Sequence, residues 1–349
     1  MKSAPFVTVV TPFHNTKDYL AECIESVLHQ TYQNWEYILV NNSSTDGSSE
    51  IAEHYATVFP ERVRVVRPPS FLSQVDNYNF ALTCISPESK YCKMVQADDW
   101  IFPDCIRSMV EVGEAHPSVG IVSAYQLWGD SVELDGLPYP SPEVSGRTVC
   151  RNYFIDKKYL FGSPTSLLLR CDAIRSRTPF YEKRYAPVED AHACFDVLRT
   201  WNFGFVHQIL TFSRRDNESI SVGLWPFRFL LFSRFAAVVA HGRDYLSEAE
   251  YDRCFKDAAD EYFLFLGKSV LRGEGREFWE FHQSKLASIN YSFGWRRKWK
   301  WTVCALLDYL GNPKRTWRSF LDRRAKSLGH RTWGQSGTNC AAEGEILRQ

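Results

Sequence analysis

No stretch of this 349-residue chain holds the roughly 18 uninterrupted apolar residues that a membrane-spanning helix needs. The richest stretch, 227–240, is broken by Arg228 and Arg234. Nor is there an excess of either charge. Lys+Arg and Asp+Glu are 41 each, which excludes a surface that is basic all over for nucleic acid while leaving room for local asymmetry. The ten cysteines include no CxxC pair and no Cys/His cluster at zinc spacing. Buried thiols in a reducing compartment are therefore expected, rather than disulfides or structural zinc. The opening MKSAPFVTVVTPFHN lacks the apolar core of a signal peptide, so the expected location is cytoplasmic. Internal repeats are absent as well. Apolar residues at 44% and charged residues at 23% describe a globular protein, not a disordered or collagen-like one. The length suggests one large or two modest domains.

The first 120 residues alternate strand and helix signals. Residues 6–11 (FVTVVT) form a β-branched run, and 35–40 (WEYILV) read as a buried strand closed by the turn-rich NNSSTDGSS; 63–66 and 91–96 are two more strands. Between them, Leu20, Ile24, Val27 and Leu28 share one helical stripe, and Val75, Tyr78, Leu82 and Ile85 another. Strand alternating with helix implies crossover connections, hence an α/β fold with a mostly parallel sheet. Ligands on such sheets bind beyond the carboxyl ends of the strands, and TPFHN, NNSSTDGS and QADDW all fall there. Residues 120–222 are less regular, with strand-like 120–127 and 166–169. From Trp225 onward helix signals dominate, at 227–240, 247–272 and 274–290.

Three segments carry chemistry. Asp98 and Asp99 end the fourth strand, where two adjacent carboxylates suit a hard divalent cation that completes its shell with water and substrate phosphates; a turn with an Asx cap fits them equally well in isolation. Glu189 and Asp190 open an apparent helix after Pro187. Acids favour a first helical turn through the helix dipole, and a carboxylate there can also serve as general base toward a hydroxyl. In 211–221 (TFSRRDNESIS), a polar loop on this reading, Arg214 and Arg215 offer guanidinium groups suited to phosphate.

Taken in order, TPFHN, ILVNNSSTDGS, NYNFAL, KMVQADDWIFPD, VED and SRRDNESIS resemble family 2 glycosyltransferases of the GT-A fold, over about residues 5–222. Each motif is weak alone; six in the right order are specific. The resemblance implies a Rossmann-like sheet with flanking helices, a nucleotide-diphospho-sugar donor, a divalent cation (Mn2+ or Mg2+) and inversion at the anomeric carbon. On it, Thr11, Pro12 and Asn15 match the loop lining the nucleotide pocket. Asn42 stands where the family has the Asp that accepts the base N3–H, and Asn41 replaces the Asp before it; an Asn carbonyl still accepts that bond without the charge, so a UDP- or dTDP-sugar is favoured. Asn79 matches the Asn of the third helix. Asp99 matches the direct metal ligand, and Asp98 the group facing ribose, sugar or metal. Asp190 matches the catalytic base with Glu189 beside it. Asp216 takes the place of a frequent His, as a third metal ligand or a neighbour of one, and Arg214 would lie near the diphosphate. His14 lies inside the donor loop, His192 follows the base by two residues, and His207 is expected to cap or pack a strand.

The chemistry is coherent with those roles. A departing nucleoside diphosphate gains negative charge that a divalent ion stabilises. An acceptor-side carboxylate takes the hydroxyl proton, and in-line attack inverts the centre. A sugar-nucleotide pyrophosphorylase would want a Gly-rich triphosphate loop that TPFHN lacks. A GT-A domain that binds without turnover stays open through Asn41 and Asn42, against the retention of both acidic pairs.

Domain limits are expected at 1–222 for the transferase domain and 223–333 for a helical extension, with 334–349 a frayed tail. Segment 291–333 holds eleven Lys/Arg against Asp308 and Asp322, a local balance of +9 that leaves −9 for the rest. Its basic residues are interleaved with Trp295, Trp299, Trp301, Trp317 and Trp333. That pattern suits docking on an anionic membrane surface, near a carbohydrate or lipid-linked acceptor, as well as it suits tryptophans packed inward beneath a solvated basic face. Nucleic acid is not an expected partner.

Overall fold

The computed structural model describes residues 4–215 and 223–311. Its first half alternates strictly: β1 (Val7–Phe13), α1 (Lys17–Leu28), β2 (Trp35–Asn41), α2 (Ser48–Val58), β3 (Val63–Val66), α3 (Gln74–Thr83) and β4 (Tyr91–Met94). Then come β5 (Trp100–Ile101), α4 (Cys105–Ala115), β6 (Val119–Trp128), β7 (Ser131–Glu133), β8 (Glu143–Val144) and α5 (Gly146–Asp156). Next are β9 (Leu168–Arg170), α6 (Cys171–Arg175), α7 (Glu189–Val197) and β10 (Asn202–Ser213). Helices α8 (Phe229–Tyr245), α9 (Glu248–Arg272), α10 (Arg276–Ser288) and α11 (Trp295–Gly311) follow.

The strands form one sheet in the order β3-β2-β1-β4-β9-β6-β10-β5, with β7 on β6 and β8 on β10. Neighbours β3, β2, β1 and β4 are parallel, as are β6 and β10; β9 runs antiparallel to both β4 and β6. All seven residues of β1 are buried, which is why the run is continuously Val/Thr rather than alternating: helices cover both faces of such a sheet. Helix α1 turns Leu20, Cys23, Ile24 and Val27 into that core. Gly47 opens α2 at φ +102°, a left-handed turn that suits glycine.

β10 differs from the sequence expectation. Residues 211–213, read as the start of a polar loop, are the end of a twelve-residue strand paired along β6. The register shifts between Val206 and Thr211, so the bulged strand exposes His207-adjacent positions and breaks the alternation by which a strand is recognised. The structure also ends β4 at Met94 and makes a helix of 295–311.

Packing divides the chain elsewhere than residue 222. One compact unit runs through Tyr262 and includes Arg276–Ser292, so α8, most of α9 and α10 belong with the sheet. The other unites Phe263–Gly275 with the chain from Phe293. Within it, Trp301, Ala305 and Asp308, one face of α11, meet the end of α9: Trp301 stacks with Phe263 at 6.1 Å, Asp308 pairs with Lys268 at 2.6 Å, and the Gly267 backbone lies so close to the Trp301 carbonyl that no side chain fits. Another face bears Trp295, Trp299, Val303, Leu306 and Leu310, at i, i+4, i+8, i+11 and i+15, exposed by 70%, 69%, 45%, 45% and 76%. The part of the basic segment beyond 311, with Trp317, Trp333 and the tail 334–349, lies outside the described residues. Among the described residues no helix is long and apolar enough to cross a membrane.

Candidate active site

The loops after β1 and β2 brace one another. Asn15, in the left-handed region at φ 51°, accepts from the Thr45 N–H at 2.8 Å and gives its own N–H to Ser44 at 3.1 Å. Asp46 accepts from the Lys17 N–H at 3.0 Å, and Ser48 Oγ from the Thr16 N–H at 2.8 Å. This rigid rim leaves His14 and Asn15 exposed. His14 Nδ1 meets the Asn42 carbonyl at 2.8 Å and its ring packs edge-on against Phe71.

Three expected donor contacts turn out to be structural at their side chains. Thr11 is wholly buried, with its hydroxyl on Tyr37 at 2.8 Å, because β1 carries on through Pro12 to Phe13 and both faces are covered. Its side chain braces the sheet beneath the loop after β1. The Asn42 amide grips the Leu72 main chain twice, N–H to carbonyl and carbonyl to N–H, each at 2.9 Å; one carbonyl lone pair remains for a base. Asn79 makes the same double clamp on Tyr181, at 2.8 and 2.9 Å, tying α3 to the segment before α7.

Asp98 and Asp99 follow β4 on a turn closed by the Asp99 N–H to Gln96 at 3.0 Å. Asp98 is partly exposed, whereas Asp99 is 5% exposed. Asp99 Oδ2 accepts from Thr165 at 2.7 Å and Ser213 at 3.0 Å, and Oδ1 from the Arg214 N–H at 3.1 Å. Asp99, expected to face the metal, is thus the more deeply buried and firmly anchored member of the pair, and Asp98 the more exposed one. Burial, then the neighbouring Asp98 charge, push the Asp99 carboxyl up to about 7; burial raises Asp98 as well, against the pull of Arg214. Arg214 lies beside the pair. Its Nε donates to the Asp98 carbonyl at 3.2 Å, its far nitrogen pairs with Glu22 at 2.6 Å, and its guanidinium rests on Tyr19 and Trp100. Asp216, expected to ligate the metal or neighbour a ligand, lies outside the described residues.

Glu189 and Asp190 open α7. Here the first carboxyl is the buried one, at 4% exposure, with Oε2 lacking a hydrogen-bond partner among the described residues. Asp190 is partly exposed and accepts the Ala191 N–H at 2.8 Å. Burial and the Glu189 charge push the Asp190 carboxyl up to about 7; burial raises Glu189, tempered by Lys285 on α10. The two acidic pairs share a neighbour. Tyr78, whose phenol is raised chiefly by burial, is raised further by both Glu189 and Asp98. Its hydroxyl bonds Gln74 at 2.8 Å and Gln96 at 3.0 Å.

His192 points away from Asp190. Buried and stacked on Tyr185 at 3.6 Å, it bonds His241 at 2.8 Å, and burial keeps both imidazoles neutral. His207 packs β10 through Tyr125 and Ser141. Sequence reasoning missed Thr165 and Ser213, the holders of Asp99, and Glu22, the partner of Arg214. A hydroxyl in a Ser/Pro-rich turn carries no signal of the aspartate it will meet.

A mixed, mostly parallel sheet with flanking helices is the GT-A architecture of sugar transferases. Residues 8–178 match the model of Glycosyl transferase family 2, and the chain belongs to that family. Relatives include EpsE of Bacillus subtilis, 30% identical over 156 residues, 43% of this chain and 55% of that one. TuaG of the same organism, named for a proposed role as a glycosyltransferase of teichuronic acid biosynthesis, is 42% identical over 132 residues, 38% of this chain and 51% of its own. The chain therefore spans about half the length of these relatives. Among solved structures, residues 1–349 of Staphylococcus aureus TarS in complex with UDP align with TM-score 0.56 and 14% identity over 81% of this chain and 80% of that one. The mannosyltransferase PcManGT of Pyrobaculum calidifontis, in complex with GDP-Man and Mn2+, aligns with TM-score 0.52 and 15% identity over 96% and 89%. These likenesses define the fold.

Proposed function

We propose that this glycosyltransferase moves one sugar from a nucleotide-diphosphate donor to an acceptor hydroxyl with inversion, using Asp190 as general base. The observation that carries the reading is that α3 ties together the segments bearing two acidic pairs: Tyr78 bonds Gln96, just before Asp98 and Asp99, and Asn79 clamps Tyr181, in the segment leading to Glu189 and Asp190. Their inequality supports separate roles. Asp190 is open, weakly hydrogen-bonded and raised toward neutrality, the condition in which a carboxylate takes a proton from an attacking hydroxyl near neutral pH. Glu189, buried beside it, keeps that affinity high by its charge.

The donor-side pair fits a divalent cation. Two carboxyls raised by burial, Asp99 also by the Asp98 charge, want positive charge, and the guanidinium nearest them is already paired with Glu22. Among the described residues no three His, Cys, Asp or Glu side chains converge; an ion held by this pair would take its remaining ligands from water and substrate phosphates. Asp98 would be the exposed ligand and Asp99 its anchored companion, with Arg214 beside the diphosphate. Bound there, Mn2+ or Mg2+ would stabilise the charge on the leaving nucleoside diphosphate. Asn15, Pro12 and the remaining Asn42 lone pair would border a uracil or thymine. The UDP in the TarS complex is in keeping with that preference; the GDP-Man of PcManGT is the competing case.

The acceptor would be a carbohydrate or a lipid-linked one in polysaccharide or glycolipid synthesis, in keeping with the name of TuaG. The exposed stripe of α11, with Arg296 and Lys300 near its Trp end, has the chemistry of a helix lying on an anionic bilayer at the cytoplasmic face. Thermal shift with UDP-, dTDP- and GDP-sugars and Mn2+ or Mg2+ tests the donor. A ligand at a hundred times its Kd adds about 2.7 kcal/mol of stability, so UDP- or dTDP-sugars should raise Tm most and only with the ion. A larger rise with GDP-sugars would overturn the base preference, and no rise with any of them the donor class.

A further inference from the structure

Lys93 stands in the middle of β4, between Cys92 and Met94, with 0% exposure. An ammonium there costs stability that methionine, of similar length and without charge, would not. Its surroundings give little relief. Met109 Sδ, at 3.7 Å, and the Cys105 thiol are weak acceptors. The one strong acceptor it meets among the described residues is the Thr165 carbonyl, at 2.6 Å.

Thr165 is equally buried, in the 3-10 turn Pro164–Ser166. Its hydroxyl donates to Asp99 Oδ2 at 2.7 Å and accepts the Gln96 N–H at 3.0 Å. Asp99 Oδ1 then takes the Arg214 N–H at 3.1 Å. One threonine is therefore held at its carbonyl from within the sheet and at its hydroxyl by the loop that bears the aspartates. A three-residue turn pinned at one carbonyl has little freedom to withdraw its hydroxyl. We propose that Lys93 is a positioning residue of the donor site, acting through Thr165 to fix the Asp99 carboxylate and, through it, the end of β10. The significance for catalysis rests on reading Asp98–Asp99 as the donor-side pair; the mechanical link does not.

Amide hydrogen exchange on the full chain tests that link without any ligand. In Lys93→Met, the Gln96 and Arg214 amides should exchange about tenfold faster, the scale of one net hydrogen bond, while the Val10 and Leu39 amides of β1 and β2 keep their protection and Tm does not fall. Thr165→Val should reproduce the local loss, and Thr165→Ser, which keeps the hydroxyl, should retain the protection. Lys93→Leu replaces the methionine variant if that does not fold. Unchanged exchange at Gln96 and Arg214, or an equal loss across β1 and β2, would overturn the proposal. UDP affinity with Mn2+ should weaken by a similar factor in Lys93→Met and Thr165→Val. Wild-type protein that binds no UDP with Mn2+ would refute the donor reading, while the exchange result still decides for or against Lys93.

Discussion

At the end of β4 the buried carboxylate is the second of its pair, Asp99, and hydroxyls of Thr165 and Ser213 and the Arg214 N–H converge on it. At the start of α7 the buried carboxylate is the first, Glu189, with one oxygen lacking a partner among the described residues, while the partly exposed Asp190 accepts the Ala191 N–H of its own helix. Both pairs are raised by burial and by their own neighbours. The donors around Asp99 fix its carboxyl in place, whereas Asp190, with fewer donors, is the carboxyl better able to turn toward an incoming hydroxyl. A fixed carboxyl suits the wall of a cation site, and a less tethered one suits a base.

The strongest way to break that contrast is Asp190→Asn. Turnover should fall on the order of 10²–10⁴-fold, the usual worth of a general base, with donor affinity unchanged within a few-fold by calorimetry. Retained turnover would remove Asp190 from the role. On the other pair the signature should reverse. Asp98→Asn and Asp99→Asn should each weaken UDP binding in the presence of Mn2+ by about 10–100-fold, as loss of a ligand or its support does. Equal nucleotide affinity with and without the ion in wild type and variants would sever the pair from metal.

A smaller effect sharpens the same comparison. With its carboxyl pushed up to about 7, Asp190 is protonated below that pH, so kcat/KM should climb through about pH 7; a profile flat from pH 5 contradicts the assignment. The sign for stability is opposite. The folded state holds this proton more tightly than the unfolded chain, so stability declines as pH rises from the ordinary carboxylate range through about 7. Asp190→Asn should accordingly melt about 2–4 °C above wild type at pH 8, with the difference gone near pH 4. Smallest is the effect on α11. Replacing Trp295 and Trp299 by Ala should reduce flotation with anionic vesicles several-fold and leave Tm unchanged, since both rings are largely exposed; equal flotation would dismiss the bilayer.

Much of the fold was legible because its signals are local. Continuous Val/Thr runs, turn clusters and the stripe of α1 need no distant partner to be recognised, and they gave β1 to β4 and their crossovers. β10 was not legible as a strand, since its bulge hides the alternation. The helical third was legible as helices but not as packing: α8, most of α9 and α10 join the sheet unit, a choice made by which apolar faces meet. In the site, the acidic pairs could be found in the chain because adjacent carboxylates at a strand end or helix start are rare and chemically specific. Thr11, Asn42 and Asn79 could be found too, but not what their side chains do. An amide that grips Leu72 or Tyr181 looks, in one dimension, like an amide awaiting a ligand.

The sequence by itself determined the class of fold, the family resemblance, the two acidic pairs and the separation of a basic, Trp-rich segment from an acidic body, since each rests on residue type and spacing along the chain. Only the tertiary structure decided which carboxylate of each pair is buried, which donors hold it, and that a lysine inside β4 reaches the threonine that holds Asp99. Burial and hydrogen bonding are properties of neighbours brought together across 66 or 72 residues of chain, and they set both where a charge sits and how firmly it keeps its proton.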